Sequence, residues 1–287
     1  MTRDKESARV SGQKQYESTN QKTKPSVKGS QSNQESSLVR LNKAIADTGL
    51  CSRRAADTLI AEGRVSIDGI RVSEAGTKVN PARHKIMVDD RALNAPVSMV
   101  TVVLHKPVGF LTSRRVQSRT QKSIYELLPG NLQAVDPVGR LDEDSSGLLI
   151  LSTDGQLVNH LMHPRYHWPK VYVVGVSRHL EPEELDALRE GITLEPEGKL
   201  AKMEIEPLKK EDYPPQMTRR GSSSIGFYRM TLITGYKRQI RRSVEAVGAR
   251  VFSLQRTEFG PLKLAKLALG QFRVLGQKEL NQLTKEQ

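Results

Sequence analysis

Four short apolar runs, all after residue 98, set the strongest limit on the fold of this chain. They are rich in β-branched residues and leucine, as buried strands are, and they occupy residues 99–104, 148–151, 171–176 and 231–233. Patterns typical of helices lie between them, at 124–128, 157–162, 183–190 and 239–247. Because strands and helices alternate without regular βαβ spacing, we expect an α+β domain on a largely antiparallel mixed sheet.

A smaller unit precedes this domain. Leucine and isoleucine recur at helical spacing from Leu38 to Ile45, and Ser52 is placed to cap a second helix. Two alternating runs, 65–67 and 70–72, flank an Asp-Gly dipeptide, which is typical of a tight β-hairpin. The pattern predicts a compact αα-ββ module.

The first 36 residues differ in composition from the rest. They contain no Leu, Ile, Phe or Trp, and Gln, Ser, Lys and Thr dominate. Such a segment cannot bury enough apolar surface to offset its loss of conformational entropy, so we expect a disordered tail. The chain is therefore predicted to comprise a tail at 1–36, the αα-ββ module at 37–96 and the α+β domain at 97–287. Within the last, the polar segment 211–226 is predicted to be a loop.

The charge balance points to a polyanionic partner. The 45 Lys+Arg residues exceed the 32 Asp+Glu residues, which gives a net charge of +13 and a pI near 9.8. Nucleic acid and an anionic membrane surface are the partners to consider first. Cys51 is the single cysteine, which excludes an internal disulfide and fits a reducing compartment, so we expect a cytoplasmic protein. No run approaches 18 apolar residues, so we expect no membrane span.

Basic side chains cluster around the two helices of the αα-ββ module. They are Arg40, Lys43, Arg53, Arg54 and Arg64. A solvated helix face is one interpretation of such a cluster. However, Arg53 and Arg54 fall in the first helical turn, where the helix dipole disfavours cations, and a phosphate partner would explain their presence there.

The most unusual local sequence is GRLDEDSSGLLIL at 139–151. Three carboxylates, Asp142, Glu143 and Asp144, lie on a glycine-bounded turn that leads directly into an apolar strand, an arrangement in which loops often hold catalytic groups. The residues alone leave alternatives open. A hydrophilic turn, a metal pair formed by Asp142 and Asp144, and a single ionised aspartate acting as nucleophile or base are all compatible with the pattern.

Three histidines, His160, His163 and His167, have spacing that suggests a metal site. No fourth ligand is evident nearby, and tetrahedral zinc sites need four ligands. We therefore expect ordinary hydrogen-bonded histidines and no metal.

Resemblance to known families narrows these alternatives. The run RLNKAIADTGLCSRRAADTLIAEGRVSIDG resembles an S4 domain, a small αα-ββ RNA-binding module. The run GRLDEDSSGLLILSTDG resembles the active-site motif of ribosomal pseudouridine synthases of the RsuA/RluB/RluE/RluF type. Three further segments resemble motifs of that family in the same order: HKPVG at 105–109, HPR to KVY at 163–172, and GYKRQIRR at 235–242.

This resemblance implies a reaction and a set of residues. Such enzymes detach a uracil from its ribose, rotate it and rejoin it through carbon, without a metal, nucleotide or organic cofactor. Asp142 matches the catalytic aspartate, as nucleophile or base, Tyr172 the tyrosine that packs against the target base, and Arg241 the basic residue that pairs with the aspartate. Substrate-binding positions match three more residues: Arg140, Lys170 and Ile240.

We therefore expect a ribosomal RNA pseudouridine synthase that acts on large-subunit (23S) RNA. It would work as a monomer, with no membrane partner, and hold RNA through the S4-like module. Because a stacked uridine hides the reacting atoms, the target base must be flipped out of the stack. The alternatives are an enzyme for small-subunit (16S) RNA, a non-catalytic S4-type ribosome-assembly protein, and a metal-dependent transferase that uses Asp142 and Asp144.

Overall fold

The computed structural model describes residues 38–95, 98–212 and 225–285. The predicted tail at 1–36, the predicted module boundary at residue 96 and most of the predicted loop at 211–226 lie outside these ranges. Two units follow one another along the described chain. The first is an αα-ββ module, and the second is a larger α+β domain.

The αα-ββ module forms as the sequence predicts. A four-stranded antiparallel sheet has the order β3-β2-β5-β6, and β1 pairs with β4. Its core contains Leu41 and Ile45 from the first helix and Ala56 and Ile60 from the second. The elements are β1 (Val39–Arg40), α1 (Leu41–Asp47), α2 (Arg53–Ala61), β2 (Val65–Ile67), β3 (Ile70–Val72), β4 (Lys78–Val79), β5 (Ile86–Val88) and β6 (Arg91–Ala92).

Local signals in the sequence explain two of these boundaries. The Ser52 side chain accepts a hydrogen bond from the Ala55 amide at 3.2 Å and caps α2. Asp68 and Gly69, which join β2 to β3, both have positive φ angles, of 51° and 86°. Two positive φ angles in a two-residue loop are the requirement of a type I′ hairpin turn, and Asp-Gly meets it with little strain.

The α+β domain is built on one large mixed sheet. Its strand order is β15-β16-β12-β17-β11-β7-β19, with β10 added beside β11 and β18 beside β17. The pairings are antiparallel except for a short parallel contact between β11 and β17. The strands of the domain are β7 (Thr101–Lys106), β8 (Phe110–Leu111), β9 (Lys122–Ser123), β10 (Asp136–Pro137), β11 (Ser146–Ser152), β12 (Lys170–Val176), β13 (Ile192–Leu194), β14 (Lys199–Ala201), β15 (Glu204–Pro207), β16 (Gly226–Leu232), β17 (Val251–Phe259), β18 (Leu262–Lys263) and β19 (Phe272–Val274). Of these, β8 and β9 form a separate parallel pair, and β13 and β14 form a separate antiparallel pair.

Helices cover this sheet. They are α3 (Gly155–Met162), α4 (Pro182–Glu190), α5 (Gln239–Ala246) and α6 (Gln277–Thr284). The first three match predicted helical segments. The remaining predicted helix, at 124–128, forms only a single 3-10 turn, Ile124–Leu127. Ser123 and Glu126 cap this turn as a capping box. None of the helices in the described ranges combines the length and apolar character needed to span a bilayer.

The strand β11 lies at the centre of the core. Leu148 and Ile150 pack into one hydrophobic cluster, and Leu149 and Leu151 pack into another, so both faces of the strand are buried. The two-residue period of a strand explains this division. Because β11 is buried on both faces, its first residues are held in place, and so is the end of the acidic loop that leads into the strand.

Candidate active site

The acidic loop at 139–145 is fixed to the domain through its backbone. Gly109 donates its amide to the Glu143 carbonyl at 2.8 Å, and the Thr112 hydroxyl donates to the Leu141 carbonyl at 2.9 Å. The Ser145 amide donates to the Asp142 carbonyl at 3.1 Å, so the loop closes a turn on itself. These bonds hold the backbone while the side chains of the loop remain available for chemistry.

Gly147 allows this loop to approach the neighbouring strand closely. It is paired with Arg256 in the parallel contact between β11 and β17, and its φ angle is 113°. A Cβ atom at this position would lie 2.2 Å from the Arg256 carbonyl oxygen, which is far inside van der Waals contact. Only glycine fits here, because it has no Cβ and tolerates this φ angle.

A buried lysine anchors the loop from the adjacent strand. Lys106, the last residue of β7, is fully buried. Its Nζ donates to the carbonyl oxygens of Asp142 at 2.9 Å, Ser145 at 2.7 Å and Pro107 at 3.0 Å. Burial lowers the pKa of this ammonium to about 8, although nearby carboxylates oppose the shift. Lys106 therefore positions the backbone of Asp142 and leaves its carboxylate unoccupied by the ammonium.

Arg241 does not form the ion pair that the sequence predicts. We expected it to pair with Asp142, but its Nη2 binds Asp144, at 2.8 Å from the carbonyl oxygen and 3.3 Å from Oδ1. The turn closed by Ser145 carries Asp144 toward α5, and Arg241 projects from that helix. The expected pair was assigned from matching positions along the chain, which do not fix which of two nearby carboxylates a guanidinium binds.

A second arginine, Arg238, bridges the two aspartates. It lies 3.1 Å from Asp144 Oδ2 through Nη2 and 3.9 Å from Asp142 Oδ2 through Nη1. Burial acts to raise the pKa of Asp144, but the hydrogen bond from Arg238 and the charges of both arginines hold the pKa below its usual value. Asp144 is thus the aspartate that is fully committed to ion pairs, whereas Asp142 has one long contact and a side chain that is 40% exposed.

A cavity of about 450 Å³ lies beside this loop, and three predicted site residues line it: Arg140, Tyr172 and Lys170. Trp168, Tyr236 and Phe259 supply aromatic walls. Lys170 Nζ donates to the carbonyl oxygens of Trp168 at 3.0 Å and Ile233 at 2.9 Å. The size and the mixture of aromatic and cationic side chains suit a planar, polar ligand such as a nucleobase.

Ile240 lies elsewhere than the resemblance suggests. It is 4% exposed and packs in the hydrophobic core with Met230 and Val244. The residues that line the 450 Å³ cavity do not include it. Adjacent residues of an α-helix point about 100° apart around its axis, so Ile240 packs against the sheet while Arg241, the next residue of α5, reaches the loop. Its assignment to a base pocket stays a prediction.

The basic residues of the αα-ββ module divide into two groups. Arg64 is held by Asp89, at 2.7 Å and 2.6 Å, and by Glu62 at 3.1 Å, while Lys43 pairs with Asp47. Within the described part of the chain, the other three predicted residues form no ion pair, and all are exposed: Arg40, Arg53 and Arg54. The unpaired guanidinium groups are the better candidates for phosphate contacts.

The described residues contain no group of three or more His, Cys, Asp or Glu side chains placed to hold a metal ion. His160 lies against Tyr166, with ring centroids 3.9 Å apart, and the His163 side chain accepts a bond from the Arg165 amide at 3.3 Å. His160 thus takes part in ring packing, while its buried Nε2 has no hydrogen-bond partner among the described residues, and the expected hydrogen bonding is seen at His163.

Sequence reasoning missed several residues of this site. Lys106 and Arg256 receive no role from the sequence, and Arg238 appears there only as a member of the run GYKRQIRR. The signal that could have found Lys106 is a charged residue at the end of an apolar, β-branched run, because a charge in a buried strand needs a specific partner. Arg256 gives no such signal, because its strand also contains Gln255 and Glu258.

Comparison with known proteins gives one consistent family. A family model described as RNA pseudouridylate synthase matches residues 100–246, and one described as S4 domain matches residues 39–82. A protein of Aquifex aeolicus named as an uncharacterized RNA pseudouridine synthase is 37% identical over 247 residues, which cover 86% of this chain and 94% of that protein.

Two further relatives carry more specific names. Ribosomal large subunit pseudouridine synthase B of Bacillus subtilis is 36% identical over 86% of this chain and 96% of its own length. The dual-specificity RNA pseudouridine synthase RluF of Escherichia coli is 32% identical over 87% of this chain and 79% of its own length. A solved pseudouridylate synthase is 28% identical, covers 86% of this chain and all of its own, and superposes with a TM-score of 0.59.

Proposed function

Since the chain belongs to the RNA pseudouridine synthase family and carries an S4 domain ahead of its catalytic domain, we propose that it converts a specific uridine of large-subunit (23S) ribosomal RNA to pseudouridine. The name of the Bacillus subtilis relative supports the large subunit over the small one. The proposal includes action as a monomer in the cytoplasm, where an rRNA substrate would be met.

One observation supports the chemistry above the others: two arginines bind Asp144 closely, whereas Asp142 has a single long contact, to Arg238 at 3.9 Å. Arg241 and Arg238 bind Asp144, whereas Asp142 is held through its backbone by Lys106 and keeps an accessible carboxylate. A carboxylate that must attack the ribose or remove a sugar proton needs an oxygen that is not already held in a close ion pair. The structure supports both routes equally.

The neighbouring cavity supports a flipped base as the ligand. Tyr172 offers an aromatic surface for the uracil, while Arg140, two residues before Asp142, joins the loop to the cavity wall. Arg140 is exposed, which suits contact with the RNA that closes behind the extruded nucleotide. The S4 domain would add phosphate contacts through Arg53, Arg54 and Arg40, which position the RNA without reading its sequence.

The test is replacement of the proposed catalytic carboxylate by an amide of the same shape. Asp142→Asn should lower the single-turnover rate of pseudouridine formation on rRNA fragments by at least about 10⁴-fold, the scale of loss when a nucleophile or base is removed. RNA affinity and the melting temperature should stay close to those of the wild type. Glu143→Gln, the adjacent and exposed acid, is the matched control and should retain activity.

Pseudouridine mapping of rRNA from a strain that lacks the gene would identify the position. One missing pseudouridine in 23S RNA is the expected result. A missing position in 16S RNA would move the substrate to the small subunit, and normal turnover by Asp142→Asn would overturn the assignment of the aspartate. Wild-type protein that binds rRNA and yields no pseudouridine would favour a non-catalytic assembly protein.

A further inference from the structure

Arg256 is unusual among the arginines of this protein. It is 3% exposed, the only arginine that is this deeply buried in the described part of the chain, and it forms no ion pair there. Other partly buried arginines of the same domain do have carboxylate partners. These pairs are Arg178 with Glu184, Arg241 with Asp144, Arg242 with Glu197 and Arg273 with Glu279.

The guanidinium of Arg256 is only partly satisfied by the protein. Its Nε donates to the Leu148 carbonyl oxygen at 2.7 Å, which fixes the group against β11. Its Nη2 is enclosed and has no hydrogen-bond partner among the described residues. The side chain also lines the 450 Å³ cavity that holds Tyr172. Arg256 therefore carries donor capacity and positive charge beside the proposed base pocket.

Lys170 adds a second cation at the same place. It lines the cavity, its two hydrogen bonds are to backbone carbonyls, and its Nζ lies 5.7 Å from the centroid of the Phe259 ring. The Arg256 guanidinium lies 5.6 Å from the centroid of that same ring. Burial, with a further contribution from the charge of Arg256, lowers the pKa of Lys170 to about 8, so the ammonium is still largely charged at neutral pH.

A buried arginine beside a half-buried lysine, with no carboxylate partner for either among the described residues, is costly for a free protein. Each loses hydration, and their mutual repulsion adds to that cost. Backbone carbonyls and the face of Phe259 compensate only in part. Preorganised charges of this kind are expected where negative charge develops during a reaction, because a dry site makes them effective without reorganisation.

Resting on the proposed function, we propose that Arg256 and Lys170 stabilise the negative charge that the uracil carries when its bond to the ribose breaks. The two residues are then the anion-stabilising part of the base pocket, and Asp142 is the part that acts on the sugar. This assignment gives Arg256 a direct role toward the substrate.

The movement of electrons in the reaction explains why negative charge on the uracil has to be stabilised. When the C1′–N1 bond breaks, its electron pair leaves with N1 and spreads over the two uracil carbonyl oxygens. The sugar carbon gains electrons from the Asp142 carboxylate or from loss of a sugar proton to it. After the ring rotates, C5 supplies the electron pair of the new C5–C1′ bond. In the nucleophilic route the bond between C1′ and the Asp142 oxygen breaks in the same step and its electron pair returns to the carboxylate, whereas in the other route Asp142 gives the abstracted proton back to the sugar. C5 then loses its proton, and N1 takes up a proton. The charge on the uracil is transient and lies between these events.

Arg256→Met tests the proposal, because methionine fills similar space without charge. Under single-turnover conditions with saturating rRNA fragment, the rate should fall by about 100-fold or more, the usual loss for a missing charge-stabilising donor. The melting temperature should change little, because removal of an unpaired buried charge offsets the loss of the hydrogen bond to the Leu148 carbonyl. A purely structural arginine would give the reverse, with a lower melting temperature and a nearly normal rate for the folded fraction.

A modified substrate distinguishes an anion-stabilising arginine from a purely structural one, even if the Arg256→Met variant is partly unfolded. Fluorine at C5 withdraws electrons and stabilises the uracil anion, so cleavage of 5-fluorouridine should depend less on the cations. The ratio of wild-type to Arg256→Met rates should therefore be several-fold smaller for RNA containing 5-fluorouridine than for RNA containing uridine. The readout is disappearance of the target nucleoside from digested RNA, and the folded fraction cancels in the comparison.

Controls define what would overturn the proposal. Arg229→Met, at an exposed arginine of β16 paired with Glu258, should leave both rates unchanged, and Lys170→Met should repeat the 5-fluorouridine effect. An equal ratio on both RNAs, or a rate for Arg256→Met within about twofold of the wild type, would overturn the anion-stabilising role. Absence of pseudouridine with the wild-type protein would instead overturn the proposed function itself.

Discussion

The cations of the S4 domain and those of the catalytic domain are placed in opposite ways. In the S4 domain, Arg53 and Arg54 extend into solvent from the first turn of α2. In the catalytic domain, Lys106 and Arg256 are enclosed, and each is held at a fixed position by backbone carbonyls. Both sets of cations suit an anionic substrate, but only those of the catalytic domain are fixed in place by hydrogen bonds to the backbone.

This difference indicates two uses of positive charge. Exposed cations attract phosphates over a distance, are screened by salt, and can replace one another with modest loss. Enclosed cations act on one atom or one loop, and burial makes each of them individually necessary. Three predictions follow from this contrast, ordered from the largest expected effect to the smallest.

Replacing the enclosed Lys106 should have the largest effect of the three. Lys106→Met removes the donors for the carbonyls of Asp142, Ser145 and Pro107, and we expect the Asp142 loop to shift. A displacement of about 1 Å at a reacting group costs on the order of 100-fold in rate. Single-turnover assays should show this loss, together with a lower melting temperature, because buried carbonyls are left without partners.

Lys263→Met is the matched control for this change. Lys263 is 71% exposed and contacts Glu258 at 3.6 Å. We expect its removal to leave both the rate and the melting temperature nearly unchanged. Similar losses in the two variants would remove the distinction between enclosed and exposed cations.

Raising the pH should remove the charge of Lys106 and Lys170 and leave the arginines charged. Burial lowers the pKa of Lys106 and of Lys170 to about 8, so both lose their charge as the pH rises through that value. The rate at saturating RNA should fall above pH 8, by up to about tenfold per unit if one charged lysine is required. A rate that stays level to pH 9.5 would show that neither ammonium is needed.

The stability of the protein should change with pH in the opposite direction. Each lysine has a folded-state pKa of about 8 and an ordinary value of 10.5. Between these values the unfolded chain binds more protons than the folded chain, so the contribution of each lysine to the free energy of unfolding becomes more favourable as pH rises. Denaturant titration at each pH measures the free energy of unfolding. If the activity falls with rising pH while this free energy does not, the loss of activity is not caused by unfolding.

Removing exposed cations of the S4 domain should have the smallest effect. Arg53→Gln should weaken RNA binding and reduce the slope of log affinity against log salt by about one, with the rate at saturating RNA unchanged. Arg64→Gln should weaken binding less, because Asp89 and Glu62 already neutralise that guanidinium. Filter-binding titrations at several salt concentrations give both values.

An effect on the single-turnover rate would contradict this prediction. So would a larger loss of affinity for Arg64→Gln than for Arg53→Gln, because the paired arginine would then be the more important RNA contact. Either result would mean that the position of charge in the S4 domain matters as much as it does in the catalytic domain.

Much of the fold could be predicted from the sequence. The hairpin at Asp68 and Gly69, the cap at Ser52 and the two-sided burial of the strand after Gly147 all follow from local rules of backbone geometry and hydrophobic period. The segment 124–128 was predicted as a helix and forms one 3-10 turn, because four apolar or capping residues can nucleate a turn without extending it.

The candidate site was predictable only in part. The resemblance assigns Arg140, Tyr172 and Lys170 to contacts with the RNA or its target base, and all three line one cavity, while their roles stay predictions. The ion-pair partner of Arg241 and the location of Ile240 could not be predicted from the sequence, because both depend on how α5 lies against the acidic loop.

The sequence by itself determined the α+β class, the S4 domain before it, the acidic turn and the family. These depend on periodicity, turn chemistry and motif order, which are properties of neighbouring residues. The tertiary structure alone decided which charges are enclosed and what they bind. Lys106 meets Asp142 across 36 positions, Arg241 meets Asp144 across 97, and Arg256 meets Leu148 across 108. Electrostatic strength depends on distance and burial in space, and spacing along the chain fixes neither.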